Sequence, residues 1–212
     1  MVGWEWAKRL LLKTQGYKPK TPLPTREQKL EWLMSEHSPI KVVQWCIDLD
    51  ELRQWVGVHL IRHEHVLPYI TSQRPEMSSS EVADQVLSII RKDIVEDPEF
   101  DYRKWRDYRL QGSENDHSLV VNAQTLINIS RKRLCKHASP ETREAWRMVR
   151  AAIKKQDPEM ADAMVPNCIY RGFCPEKTCC GYSLTLKFTA ELHRYRSLIK
   201  SEDERYKQYM MR

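Results

Sequence analysis

The 212-residue chain has no long apolar run. The run at Leu10–Leu12 falls far short of the ~20 residues that a bilayer span needs, so no membrane association is expected. The first residues include Lys8 and Arg9 but no apolar stretch of signal-peptide length. That points to an intracellular protein of the cytoplasm, or of the host cytoplasm if the chain is viral. No internal repeat or low-complexity tract is present. The net charge of +6 is modest; it fits a small anionic ligand as well as nucleic acid, and nucleic acid is the less expected partner. The metalloprotease pattern His-Glu-x-x-His is missing, which weakens a catalytic metal at His59, His63 and His65. No paired Cys-x-x-Cys occurs either. Four of the six cysteines nevertheless crowd together at Cys168, Cys174, Cys179 and Cys180, and four thiolates can make a tetrahedral zinc site. Reduced, partly buried thiols are the plainer expectation there, as they are for Cys46 and Cys135, and redox-active thiols are a third reading of the cluster.

What is present reads as alternating helices and strands. Trp4–Lys13 has helical spacing. Thr25 with Gln28 forms a capping box for a helix reaching Ser35. Val42, Val43, Trp45 and Ile47 favour a strand over Ile40–Leu49. Asp50 is a plausible N-cap, after which Leu52, Trp55, Val56, His59, Leu60 and His63 share a helix face. Arg62–Arg74 then reads as a turn-like cluster ending at Pro75. Ser78 with Glu81 opens a further helix, and Asp97–Asp116 resists assignment. Ser118–Val121 is a short strand, and Asn122 starts a helix through Cys135. Ser139-Pro140-Glu141 is a strong helix start for a segment reaching Gln156. Pro158–Met164 is a short helix, Pro166–Tyr182 a Cys-rich loop, and the charged tail from Thr189 is helical.

Two polar constellations carry candidate chemistry. Arg62, His63, Glu64, His65, Ser72 and Arg74 form the first: guanidinium groups can hold phosphate oxygens bidentately, with hydroxyls and amides completing the shell. The plainer reading is a solvated helix end whose basic side chains suit the macrodipole. The second comprises Asn122, Asn128, Arg131, Arg133 and His137, which also fit the polar face of an ordinary helix.

These residues resemble the flavin-dependent thymidylate synthase family. Its signature runs Arg-His-Arg-x-x-Ser-x-Asn-x-x-Ser-x-Arg-Tyr. Here Arg62, His63, Ser72 and Arg74 match, while Glu64, Leu67, Tyr69 and Pro75 stand in place of Arg, Ser, Asn and Tyr. A second segment, Asn122-Ala123-Gln124-Thr125-Leu126 with Asn128, Arg133 and His137, is similar to the family's Asn-Ala-Arg-Ser-Leu region, with Gln124 at the Arg position. Glu36-His37-Ser38-Pro39 sits where the family has a related segment. The resemblance covers roughly residues 35–165. It leaves residues 1–34 as an N-terminal helical segment and linker, and 166–212 as the Cys-rich loop and charged helical tail.

The resemblance implies an α/β (α+β) fold, a mixed sheet flanked by helices, assembled as a homotetramer. It implies FAD as cofactor, with NADPH and methylenetetrahydrofolate as co-substrates and a one-carbon transfer to C5 of dUMP. By the same resemblance Arg62, His63, Glu64, Asn122 and Asn128 are candidate flavin contacts. Ser72, Arg74 and Arg133 are candidates for the pyrimidine nucleotide, with Ser72 the candidate catalytic residue. No residue is an obvious general base. Glu64 introduces negative charge beside a pyrophosphate, and a divergent member is expected. The alternatives are a related flavin-dependent enzyme, such as a dUMP hydroxymethylase, and a basic nucleic-acid-binding protein with a zinc-stabilised loop.

Overall fold

Thr25 Oγ1 accepts a hydrogen bond from the Gln28 amide at 3.3 Å, and the Thr25 amide donates one to Gln28 Oε1 at 3.1 Å. This capping box starts α2 (Arg26–Met34), as the sequence predicts. The computed structural model describes residues 3–18, 23–72 and 111–198. Within them α1 (Trp4–Thr14) and α2 lead into a 3-10 turn at Ser38–Val42. Then come β1 (Gln44–Arg53), α3 (Gln54–Ile61), β2 (Leu67–Ile70) and β3 (Glu114–Asn122). The rest is helical: α4 (Ala123–Arg133), α5 (Pro140–Gln156), α6 (Pro158–Ala163), α7 (Asn167–Arg171) and α8 (Leu186–Arg196).

The fold class is α+β. The strands are ordered β1-β3-β2, and β3 is antiparallel to both neighbours. The expected mixed sheet is therefore corrected to an antiparallel one among the described residues. Strands β1 and β2 run the same way and are linked through α3, but β3 lies between them, which is a split β-α-β arrangement.

Alternation along β3 sends His117, Leu119 and Val121 into the core, where they meet Leu49, Ile47 and Trp45 across the ladder. The opposite face carries Cys46, Asp48, Leu67 and Tyr69, all exposed. Cys46 is thus not the buried thiol expected of its apolar neighbourhood: with Trp45 turned inward, strand period 2 sends Cys46 out.

Asp50 does not cap α3. Strand β1 continues past it to Arg53 through a bulge between Leu49 and Leu52. Glu51 takes φ 52 there, and its amide donates to Asp116 Oδ1 at 3.0 Å. The extra residue is accommodated because a side chain from β3 satisfies the N–H that the ladder leaves behind. Ile40 and Val43 are buried but precede β1, since Pro39 favours a tight turn over a strand start.

One core unites the sheet with α1–α6. Trp146 of α5 is fully buried, and its indole N–H donates to Ser130 Oγ on α4 at 2.8 Å. The N-terminal helix is tied in by Asp157, a fully buried side chain that accepts from the Trp4 indole and from the Met160 amide. Helix α3 lies so close to β3 that a Cβ on Gly57 would stand 2.2 Å from His117 Cε1. A smaller apolar cluster of Val165, Ile169, Phe188 and Tyr195 holds α7 and α8. No helix among the described residues is long and apolar enough to cross a membrane.

A cationic cavity between α3, α4 and α7

Helix α3 ends at Arg62, its C-cap, and the chain turns back through His65 in the left-handed region, φ 60. Arg62, His63 and Glu64 are thereby presented at the helix end. The segment expected to be turn-like then straightens into β2, because Leu67–Ile70 finds ladder partners on β3. Ser72 lies just past that strand, exposed, and does not line the cavity described here. Arg74 lies outside the described residues, as do Pro75, the Ser78–Glu81 helix start and most of Asp97–Asp116.

Helix α4 starts where the sequence predicts. Asn122 Oδ1 accepts from the Thr125 amide at 2.9 Å, so this candidate flavin contact serves as an N-cap and does not line the cavity. Thr125 Oγ1 donates to the Glu64 carbonyl at 3.2 Å and fastens the first turn of α4 to the loop after α3. One and a half turns further on, α4 carries Asn128, Arg131 and Lys132 past the end of α3.

The two segments meet at an open cavity of about 380 Å³. Arg62, His63 and Glu64 line it from α3, and Asn128, Arg131 and Lys132 from α4. Asn167, Tyr170 and Arg171 of α7 form the third wall. This volume is near the lower end of the roughly 300–1,000 Å³ typical of small-molecule sites.

Electrostatics divides these groups into ligand-facing and structural ones. Arg133 sits behind His63: its Nε donates to His63 Nε2 at 3.1 Å and its Nη2 to the His59 carbonyl at 2.7 Å. It is a brace for the α3 end and is absent from the cavity lining. Burial pushes His63 down to about 4, and the neighbouring charges of Arg133 and Lys132 push the same way. His63 is therefore neutral at pH 7, and because Nε2 accepts, its proton sits on Nδ1. Arg131 pairs with Glu36 and lies over the Tyr170 ring at 3.6 Å. Burial works to raise Glu36, but hydrogen bonds from Arg131 and Gln124 prevail and hold its carboxyl below the usual range.

The α7 wall was missed in the sequence because Asn167–Arg171 fell within the expected Cys-rich loop. Its signal was the Pro166 start and the Gly172 stop, where φ 82 is the left-handed C-terminal turn that glycine adopts readily. Lys132 and Tyr170 had no motif of their own, whereas Glu36 opens the Glu36-His37-Ser38-Pro39 segment.

The cysteines line a different and larger cavity. Cys135, Cys168, Cys174 and Cys180 border about 610 Å³ between the end of α4 and α8. All six cysteines are free, Cys179 exposed and Cys135 half-buried. Burial, with Cys135 nearby, pushes the Cys168 thiol up to about 11. Among the described residues no group of three or more His, Cys, Asp or Glu side chains is arranged to hold a metal ion. His137 Nε2 lies 2.7 Å from the Thr178 carbonyl and anchors the cysteine loop.

No protein-family profile matches this chain, and no curated protein matches it.

Proposed function

We propose that this chain is a divergent flavin-dependent thymidylate synthase-like enzyme, transferring a one-carbon unit from methylenetetrahydrofolate to C5 of dUMP with reduced FAD and NADPH. The observation that carries the reading is convergence. Arg62-His63 and the Asn122–Arg133 segment, on which the resemblance rests, are about sixty residues apart in sequence and meet at one cationic cavity.

The donor set suits a flavin nucleotide. Arg62, Lys132 and Arg171 bring positive charge to a space that also offers the Asn128 and Asn167 amides and the Tyr170 ring, one face of which the Arg131 guanidinium covers. Bound there, the flavin supplies the redox chemistry. The chain supplies placement and charge. Asn128 offers both a donor and an acceptor. His63, held neutral, offers Nδ1–H as a donor while Arg133 fixes its orientation. Glu64 opposes a pyrophosphate and weakens retention of the cofactor. In this reading Ser72 and Arg74 complete the nucleotide side of the site, and Arg133 contributes as a brace. The homotetramer that the resemblance implies belongs to the same proposal.

The test is product formation from dUMP, methylenetetrahydrofolate, FAD and NADPH, read by mass spectrometry. Thymidylate that appears only when FAD and NADPH are both present supports the reading. A hydroxymethylated nucleotide instead assigns the same site to the alternative product. No product and no FAD uptake together reject it.

A further inference from the structure

The larger cavity, of about 610 Å³, is separate from the proposed flavin site and shares only Asn167 with it. Its wall comes from the end of α4, from α5, α7 and α8, and from the cysteine loop. Five cations border it: Lys136, Arg147, Arg150, Lys187 and Arg194. Among the described residues only two carboxylates do so, Glu176 and Glu191, and both are engaged. Glu191 accepts from the Tyr182 hydroxyl, and Glu176 lies 3.9 Å from Lys132. Two of the cations are answered from outside the cavity, Arg147 by Glu144 at 3.3 Å and Arg194 by Asp162 at 3.1 Å. Lys136, Arg150 and Lys187 make no ion pair among the described residues.

Arg150 is the anchor of this surplus. Its side chain is half-buried, and its Nε donates to the Ala161 carbonyl at 3.0 Å, which fixes the plane of the guanidinium and leaves the donors on its two terminal nitrogens. Burial holds the group below its usual range, against the pull of Glu191 and Asp162. An oxyanion beside it would relieve a cost that the fold already carries. Asn167, nearly buried, adds a fixed amide: Arg171 Nε donates to its Oδ1 at 3.2 Å, so its Nδ2 remains a donor. Leu134, Pro166, Pro175 and Ala190 give the same space apolar surface, for which a bare inorganic ion has no use.

We propose that this cavity binds a small organic dianion, with its charged groups on Arg150, Lys187 and Lys136 and its apolar body against Leu134, Pro166 and Ala190. The charge resides on a phosphate ester or on a pair of carboxylates. Both present paired oxygens that a guanidinium holds through two N–H bonds, while the lysines add charge without fixing geometry. The volume of about 610 Å³ falls within the roughly 300–1,000 Å³ typical of small-molecule sites. The inference does not rest on the flavin reading, since none of the residues it uses to hold the anion borders the first cavity.

The experiment titrates the full chain with phenyl phosphate, phthalate and inorganic phosphate in a calorimeter, and repeats the titrations on Arg150→Gln and Lys187→Gln. At least one of the two aromatic dianions is expected to bind saturably and more tightly than inorganic phosphate. Preference for phenyl phosphate assigns a phosphate ester; preference for phthalate assigns carboxylates. Arg150→Gln is expected to weaken binding about tenfold or more, the scale of a lost charged hydrogen bond. Lys187→Gln alters an exposed side chain of α8 and is expected to weaken it severalfold without disturbing the fold, which keeps the test decisive if Arg150→Gln does not fold. The bound dianion is also expected to slow alkylation of Cys174 and Cys180, which border the cavity, and not of Cys46 on the far face of the sheet. The proposal is overturned if neither aromatic dianion binds, if inorganic phosphate binds as tightly as both, if Lys187→Gln and every folded Arg150 variant bind like the wild type, or if Cys180 is protected no more than Cys46.

Discussion

Arg133 Nε donates to His63 Nε2 at 3.1 Å. This one bond joins the end of α3 to the end of α4, fixes the imidazole tautomer and keeps a guanidinium beside a ring that must stay uncharged. The cavity inherits its geometry from that pairing.

The pairing has a titration signature. Burial first, then Arg133 and Lys132, lower His63 from 6.5 to about 4. In an NMR titration its ring protons are expected to shift well below the ordinary histidine range, with a midpoint near 4. The sign for stability follows. Between about 6.5 and 4 the unfolded chain binds a proton at this residue and the folded chain does not, so stability falls as pH falls through that window. His63→Gln is expected to flatten that part of the denaturation profile. A midpoint near 6.5, or an unchanged profile in the variant, contradicts the account.

Gly57 is where α3 touches β3. An added methyl group meets the His117 ring at 2.2 Å, and that ring is buried, so the two must shift apart within the core. Gly57→Ala is expected to destabilise the fold by about 1–3 kcal/mol, the usual cost of overpacking, despite alanine's better helix propensity. Urea denaturation measures it; a variant as stable as the wild type would show that α3 does not sit this close.

Asp157 links the two ends of the main core. Burial raises its carboxyl above the usual range, although the Trp4 indole, Lys29 and the Met160 amide favour the charged form. Replacing it with alanine leaves the Trp4 indole and the Met160 amide without their acceptor. The expected loss is about 2–6 kcal/mol, from roughly 1–3 kcal/mol for each of the two buried groups left unsatisfied. Asp157→Asn keeps one acceptor and is expected to lose less. Equal losses from both variants in calorimetry would remove the hydrogen-bonding explanation.

Much of the helical frame was legible because its signals are local. Thr25 with Gln28, Asn122, and Ser139-Pro140 each act within one turn, and α2, α4 and α5 begin where these residues predict. The strands were read less well. Leu67–Ile70 shows no alternation between buried and exposed positions and becomes a strand only by pairing with β3, a long-range event. Asp50 looks like a helix cap until a carboxylate from β3 supports the bulge that carries β1 past it.

The candidate site divides in the same way. Arg62, His63, Glu64 and Asn128 were picked out from the sequence and share the cavity. Arg133 was picked out too, but its partners turn it into a brace. Asn122 is used as a cap, and α7 closes the cavity from a segment whose cysteines drew attention away from Tyr170 and Arg171.

The most direct measurement is a fluorescence titration of FAD with the wild type, Arg62→Ala and Asn128→Ala. Saturable quenching is expected in the wild type. Arg62→Ala is expected to bind about tenfold or more weakly, the consequence of losing a charged hydrogen bond of about 1.5–3 kcal/mol. Asn128→Ala is expected to weaken binding by a smaller factor. No saturable quenching by the wild type, or equal affinity in all three proteins, contradicts the assignment of this cavity to a flavin.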